Sequence, residues 1–291
     1  MYTSPSYVTV LNRLLQAQLL GALVVLPAVA QIPAAPVSSP ITVQISRHQH
    51  SPFRLHERRY DGSITSENWS GYAVTGTNVT DAKGSWIVPA VTCPAAPAPS
   101  PRARSQASQQ DLYSAFWVGI DGYSSSTVEQ TGTDSDCDNG TPQYYAWFEF
   151  YPHPSYEVNN FSVKAGDRIS AEVSYNSTTK MFTVTLADET SGKSFSTSTS
   201  VPSAARSSAE WIAEAPSGGS GVLSLADFST VDFGQNYTSL GNTCDATVNG
   251  TAGAIGSFGT NQAITMVSVS GADEAVPSAL ANGTSFVISW Q

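Results

Sequence analysis

Residues 143–151 carry the clearest pattern of apolar and polar positions in the chain and read Gln-Tyr-Tyr-Ala-Trp-Phe-Glu-Phe-Tyr. The run is rich in aromatic residues and has no glycine or proline, which predicts a β-strand. Alternate side chains of a strand point to opposite faces. One face would suit a core and would carry Tyr144, Ala146, Phe148 and Phe150. The other face would carry Gln143, Tyr145, Trp147, Glu149 and Tyr151. A carboxylate among large aromatic side chains fits either an amphipathic strand that covers a neighbour or one wall of a ligand cleft.

Short runs of the same kind recur from Ser66 to the last residue, separated by turns rich in Gly, Asn, Asp, Ser and Pro. We find no segment with the 3.6-residue period of an amphipathic helix. This pattern predicts an all-β fold, one sandwich of two large antiparallel sheets. The candidate strands lie near 69–74, 85–88, 116–120, 127–131, 143–151, 168–175, 181–187, 193–200, 209–214, 228–233, 244–248, 264–270 and 286–290.

The N-terminal part of the chain differs in composition from the rest. Residues 14–30 form an apolar run after Arg13 that ends in Ala-Val-Ala, the layout of a secretory signal peptide, so we expect residues 1–30 to be removed and the protein to be secreted. Residues 31–65 open rich in proline and alanine and then carry His48, His50 and His56. We interpret 31–65 as a removable pro-segment and 66–291 as the catalytic domain. No later apolar run is long enough to span a membrane.

Charge supports this division. Only 12% of the 291 residues are charged and 41% are hydrophobic, so a large core is expected and general disorder is not. Residues 1–65 hold five arginines and two acidic residues, whereas residues 66–291 hold eight basic and 21 acidic residues. An acidic body argues against nucleic acid as a partner and suits a protein that works at low pH. A basic segment could cover this acidic body.

The histidines of the pro-segment suggest two roles. The pair His48-x-His50 could bind a metal ion, although the sequence shows no third ligand beside it. Protonation of the histidines in acid could instead help the segment to leave. We expect no metal or other cofactor.

Three cysteines are present, and one disulfide is expected in a secreted protein. Cys93 and Cys137 flank the strand pair that begins at Phe116, which favours that bridge and leaves Cys244 free. Residues 94–110 are rich in Pro, Ala, Ser and Gln and predict an exposed loop that is open to nicking.

Several catalytic designs are excluded by the residues available in 66–291. His153 is the single histidine there and lies between two prolines, and no Gly-x-Ser-x-Gly or His-Glu-x-x-His motif is present. The sequence Gly192-Lys193-Ser194 lacks the upstream glycine of a phosphate-binding loop. Carboxylate chemistry remains, supported by amides and tyrosines.

In three further segments, strand alternation places a Trp, acidic or amide side chain on a non-core face. Trp117, Gly119 and Asp121 would share one face of the strand at 115–121, opposite a core set. In 127–131 the alternation groups Val128 with Gln130. In 208–213 it puts Glu210 and Trp211 on opposite faces.

These segments belong to a series of motifs that resembles the glutamic peptidase (eqolisin) family in order and approximate spacing over residues 66–290. The motifs are Asn68-Trp69-Ser70-Gly71, Phe116-Trp117-Val118-Gly119-Ile120-Asp121-Gly122, Glu129-Gln130-Thr131-Gly132-x-Asp134, Tyr145-Ala146-Trp147-Phe148-Glu149-Phe150-Tyr151-Pro152 and Ala209-Glu210-Trp211-Ile212. The chain departs from the fungal pattern in its insert at 94–110 and in its cysteine arrangement.

The resemblance implies a secreted, acid-active endopeptidase that is made with a pro-segment and cleaves polypeptides without a cofactor. It implies a lectin-like (concanavalin A-like) sandwich of two antiparallel sheets of about seven strands each. It also implies a catalytic pair, Gln130 and Glu210. The residues that match positions lining or supporting the cleft are Trp69, Trp117, Asp121, Asp134, Trp147, Glu149 and Tyr151. Glu210 would act as general base and then acid on a water molecule, and Gln130 would stabilise the oxyanion. We expect a monomer that binds neither nucleic acid nor membrane.

A carbohydrate-active β-sandwich is the alternative. A glycoside hydrolase could use Glu149 and Glu210, and a carbohydrate-binding module could stack sugars on Trp117, Trp147 and Tyr151. Gln130 discriminates between the two readings, because only the peptidase requires it.

Overall fold

β-Strands form most of the computed structural model, which describes residues 41–58, 63–95, 110–241 and 244–291. The strands are β1 (Val43–Ile45), β2 (Leu55–Arg58), β3 (Ile64–Ser66), β4 (Trp69–Thr75), β5 (Val79–Ile87), β6 (Ala115–Ile120), β7 (Val128–Asp138), β8 (Thr141–Tyr151), β9 (Tyr156–Ser162), β10 (Arg168–Asn176), β11 (Met181–Asp188), β12 (Lys193–Thr199), β13 (Ser208–Glu214), β14 (Ser217–Gly218), β15 (Gly221–Val222), β16 (Thr230–Phe233), β17 (Asp245–Val248), β18 (Thr251–Ala254), β19 (Asn261–Val267), β20 (Asp273–Pro277) and β21 (Phe286–Trp290). Helical structure within these ranges is limited to α1 (Gln235–Thr238) and a 3-10 turn at Ile255–Ser257.

Two large sheets face each other and share one strand. The first sheet has the order β1-β9-β8-β7-β6-β13-β4-β19, with β3 and β2 added beside β19. The second has the order β20-β21-β16-β5-β10-β11-β12, with β17 and β18 beside β5. The strand β19 pairs with β4 of the first sheet through its first half and with β20 of the second sheet through Met266 and Val267. The chain therefore passes from one sheet to the other within β19. The predicted all-β sandwich is therefore confirmed.

The main core lies between these sheets. Phe116, Val118 and Ile120 of β6 belong to the same buried cluster as Trp86 of β5 and Val173 of β10. These alternate positions are apolar in each strand because each sheet buries one face against the other. The faces predicted for β8 are also confirmed, since its core set of Ala146, Phe148 and Phe150 is buried in this cluster and Tyr144 packs against it.

The outer face of the first sheet is buried as well, and this matters for the site. Trp147 and Glu149 of β8 are both 0% exposed although they point away from the main core. Trp69, Trp117, Trp147, Val128, Ile212 and Ile264 form a second buried cluster there. The sheet is covered on this side by residues 47–54, which belong to the segment predicted to be removable.

One disulfide joins Cys93 and Cys137, as the sequence predicted, and Cys244 is free and buried. The predicted signal peptide at 1–30 lies outside the described residues, as does most of the predicted loop at 94–110, of which 96–109 are not described. No helix within the described ranges is long and apolar enough to cross a membrane.

Candidate active site

Cross-strand register lines up four positions on the outer face of the first sheet. Glu210 of β13 pairs with Gly119 of β6, Gly119 pairs with Gln130 of β7, and Gln130 pairs with Glu149 of β8. Directly paired residues of antiparallel strands point to the same side of a sheet. The next row on the same face holds Ile212, Trp117, Gly132 and Trp147.

Two glycines allow the indole ring of Trp117 to lie flat on this face. A Cβ atom at Gly119 would stand 2.9 Å from Trp117 Cζ3, and one at Gly132 would stand 2.6 Å from Trp117 Cβ. The ring covers the space over Gly119 that separates Glu210 from Gln130. The register places these two residues in one row two strands apart, but it does not bring them into hydrogen-bond contact.

Gln130 is hydrogen-bonded to Glu149 and to the backbone of His50. Its Nε2 donates to Glu149 Oε2 over 3.1 Å and to the His50 carbonyl oxygen over 2.7 Å. Glu149 Oε2 also accepts from the His50 N–H over 2.9 Å. Burial raises the pKa of Glu149 well above its ordinary value, and the two hydrogen bonds act in the opposite direction. Glu149 thus fixes the direction in which the Gln130 amide points.

Glu214 is the second buried glutamate beside residues His50 and Ser51, and it was not among the site residues predicted from the sequence. Its Oε1 accepts from the Ser51 N–H over 2.9 Å, and its Oε2 accepts from Trp117 Nε1 over 2.8 Å. His50 Nδ1 lies 3.6 Å from Oε2. Burial and the charge of Glu149 raise the pKa of Glu214 well above its ordinary value. A usable signal was present in the sequence, because strand alternation puts Glu214 on the same face as Glu210, four residues further on.

Glu210 belongs to a different acidic group, with Glu129 and Asp121. Burial raises the pKa of Glu210 well above its ordinary value, and the charges of Asp121 and Glu129 add to the effect. Asp121 accepts hydrogen bonds from the Arg206 and Ser207 N–H groups over 2.7 Å each. These bonds hold the loop before β13 and do not lead to Gln130.

Asp134 lies four residues beyond Gln130 on the same face of β7 and contacts the covering residues 47–54 through His48. Its Oδ2 is 2.6 Å from His48 Nε2 and accepts from the Tyr145 hydroxyl over 2.9 Å. The Tyr145 hydroxyl is also 2.7 Å from Asp136 Oδ2. Burial and the neighbouring charge of Asp134 raise the pKa of Asp136 to about 8. For His48, burial lowers the pKa, but the hydrogen bond and charge of Asp134 outweigh it and the net pKa is raised.

The predicted aromatic residues enclose the same region. The Trp147 ring stacks on the His50 ring with centroids 3.5 Å apart and an interplanar angle of 8°. Trp69 Nε1 donates to the Ser51 carbonyl oxygen over 3.1 Å, and the Trp69 ring meets Trp117 edge-on at 4.9 Å. Tyr151 packs at the edge of this cluster. Trp69, Trp117 and Trp147 therefore form the walls around the Gln130 amide and the Glu214 carboxylate.

A group able to hold a metal ion exists beside this region. One nitrogen each of His48 and His50 and one oxygen of Asp134 lie within 4.8 Å of one another. Asp134 supplies the third possible ligand, which is far from the histidine pair in the sequence and close to it in the structure. In the structure His48 is hydrogen-bonded directly to Asp134, which accounts for that contact without an ion.

Comparison with known proteins is consistent with this geometry. The model of the peptidase A4 family matches residues 67–278. Aspergillopepsin-2 of Aspergillus niger is 30% identical over 196 residues, which are 63% of this chain and 69% of that protein. A crystal structure of scytalido-glutamic peptidase with a transition state analog inhibitor superimposes with a TM-score of 0.61 at 24% identity, covering 77% of this chain and 98% of that one.

A second solved structure, aspergilloglutamic peptidase from Aspergillus niger, gives a TM-score of 0.53 at 25% identity over 62% of this chain and 99% of that one. The family match spans the range that contains Trp69, Gln130, Glu149 and Glu214. This chain therefore belongs to the peptidase A4 family, the glutamic peptidases or eqolisins, and is a glutamic endopeptidase.

Proposed function

We propose that the protein is a secreted endopeptidase that hydrolyses polypeptides in acid with Gln130 and Glu214 as its catalytic pair. One observation carries the proposal: the two side chains are hydrogen-bonded to opposite ends of one peptide group. Gln130 Nε2 donates to the carbonyl oxygen of His50, and Glu214 Oε1 accepts from the N–H of Ser51. The His50–Ser51 peptide here stands in for the bond of a substrate.

The chemistry follows from what each group can do. Ionised Glu214 takes a proton from water as the water attacks the carbonyl carbon, and it then passes that proton to the departing amine. The Gln130 amide donates to the oxygen that becomes negative in the tetrahedral intermediate. Glu149 accepts the other hydrogen bond of Gln130 Nε2 and holds the amide in place. Trp117 Nε1 orients the carboxylate of Glu214.

The pKa of Glu214 bears on the conditions under which it can act as base. While residues 47–54 cover it, burial and the charge of Glu149 raise its pKa, and the hydrogen bonds from Trp117 and Ser51 offset this only in part. Departure of the segment exposes the carboxylate to water, and its pKa then falls towards the ordinary value. The open enzyme can therefore hold Glu214 ionised at a lower pH than the covered one.

The sequence-based pairing of Gln130 with Glu210 is the competing assignment. Glu214→Gln and Glu210→Gln each replace one buried carboxylate of β13 by a neutral amide and so form a matched pair. We expect Glu214→Gln to abolish hydrolysis of denatured protein at pH 3–4 and Glu210→Gln to retain it. Loss of activity in Glu210→Gln with retention in Glu214→Gln, both folded by circular dichroism, would overturn the assignment.

The carbohydrate alternative has no observation in its favour. Glu149, one carboxylate of the supposed glycosidase pair, is hydrogen-bonded to the Gln130 amide. Glu210, the other, belongs to the separate acidic group with Asp121 and Glu129.

A further inference from the structure

Residues 46–53 lie in the cleft between β1 and β2, outside the regular strands, and are held there by backbone hydrogen bonds. Gln49 exchanges two backbone hydrogen bonds with Ser217, of 2.9 and 2.8 Å. The His50 N–H donates to Glu149, and the Phe53 N–H donates to the Gly122 carbonyl oxygen over 3.1 Å. Main-chain docking of this kind is how clefts bind extended peptides of varied sequence. The segment thus lies in the cleft in the manner of a polypeptide substrate.

One peptide group of the segment meets both members of the catalytic pair. The preceding carbonyl, of Gln49, accepts from the Ser217 N–H, and the following carbonyl, of Ser51, accepts from Trp69 Nε1. Only the group between His50 and Ser51, among the described residues of the segment, has its oxygen on Gln130 and its N–H on Glu214.

We propose that His50–Ser51 is the bond that the chain cleaves in itself, so that maturation begins with an intramolecular cut at this position. The inference rests on the proposed function of Gln130 and Glu214. It goes further in assigning a processing site, at His50–Ser51 and not at the approximate 65/66 boundary indicated by composition.

The side chains of His48 and His50 determine which peptide bond of the segment lies against Gln130 and Glu214. His50 is stacked on Trp147 and His48 is bonded to Asp134, so both anchors come from the same face of the segment two residues apart. A slip by one residue in either direction would turn both histidines away from these partners. A forward slip would also bring the Ser51–Pro52 bond onto Glu214, and proline has no N–H to donate.

The cut is an ordinary hydrolysis and consumes one water molecule. Water adds its oxygen to the His50 carbonyl carbon while Glu214 takes the proton, and the negative oxygen is held by Gln130. The carbon–nitrogen bond then breaks, and the Ser51 nitrogen receives the proton from Glu214. The products are a carboxyl group on His50 and an amino group on Ser51. His50 is 0% and Ser51 6% exposed, so a water molecule must enter the covered cleft before the cut can occur.

The test follows the full-length chain after shifts to a series of pH values from 6.5 down to 3.5, because the raised pKa of the covered Glu214 makes its ionised form scarcer as the pH falls. Products are identified by intact mass and N-terminal sequencing. We expect a fragment that ends in His50, a new N-terminus at Ser51, and a first-order rate that does not change with protein concentration. Ser51→Pro removes the N–H that contacts Glu214 and should slow this cut by about 100-fold or more. Ser51→Ala keeps that N–H and is the matched control, with a rate within about threefold of the wild type.

A synthetic peptide of residues 45–56 provides a second measurement that does not depend on folding of the proline variant. Active enzyme should cleave it between His50 and Ser51. First cleavage at another bond, an undiminished rate in Ser51→Pro, or an intact peptide alongside hydrolysed denatured protein would each overturn the processing site while leaving the proposed function standing. Failure of the enzyme to hydrolyse denatured protein at all would instead overturn the proposed function.

Discussion

Removal of the Gln130 amide tests the catalytic assignment most directly. Gln130 Nε2 stands 2.7 Å from the carbonyl oxygen of the peptide in the cleft, and the residue is completely buried. A preorganised donor aimed at a developing oxyanion is worth about 10²–10³ in kcat, or about 3–4 kcal/mol. Gln130→Ala should therefore lower kcat by that factor. KM should change little, because the donor stabilises the charged oxygen more than the neutral carbonyl.

The length of the side chain provides a sharper version of the same test. Gln130→Asn keeps the amide but withdraws it by one carbon–carbon bond, about 1.5 Å, which takes the donor out of hydrogen-bond range. It should behave like Gln130→Ala. Gln235→Ala, at an exposed glutamine on α1, is the matched control and should leave kcat unchanged.

The assay is the initial rate of hydrolysis of a fluorogenic peptide at pH 3.5 by enzyme freed of its segment. A decrease of kcat below about tenfold in both Gln130 variants, with folding intact, would refute the oxyanion role. An equal loss in Gln235→Ala would show that the effect is not specific to the cleft.

Three further predictions concern pH and stability. Burial and the charge of His48 lower the pKa of His50, so below pH ~6.5 the released segment binds protons more readily than the docked one and acid favours release. His48 has a raised pKa and acts in the opposite direction. The test uses a Glu214→Gln background, which prevents cleavage, and follows release of the segment by size-exclusion chromatography. Release should need a lower pH in His50→Gln and a less acidic pH in His48→Gln. Identical pH midpoints would contradict this. The raised pKa of Asp136 means that its ionisation destabilises the fold as the pH rises towards 8, so Asp136→Asn should increase the urea midpoint at pH 7 but not at pH 3. Replacing Cys93 and Cys137 by alanine opens a loop with a sequence separation of 44 and should lower the free energy of unfolding by about 4 kcal/mol, again by urea titration, unless the reduced chain retains structure that closes the loop.

The sequence by itself determined the fold class and which side chains of β8 face the main core. Alternation in 143–151 separates the core positions Ala146, Phe148 and Phe150 from Trp147 and Glu149, because the side-chain period of a strand is two residues wherever the strand is placed. The order of the motifs was enough to identify the family. The disulfide between Cys93 and Cys137 was also predictable from the strands that it flanks.

The tertiary structure decided which glutamate of β13 contacts the same peptide group as Gln130. Glu210 and Glu214 share a face and lie about 13 Å apart along the strand, so alternation cannot distinguish between them. The choice depends on pairing across three strands and on the Trp117 ring, which covers Gly119 and donates to Glu214. The docking of His50 and Ser51 on the catalytic pair depends likewise on contacts between residues about 80 to 160 positions apart, such as Gln130 with His50 and Glu214 with Ser51. Such contacts exist only once the sheet has formed, because local sequence pattern fixes the direction of a side chain and not the partner that it reaches.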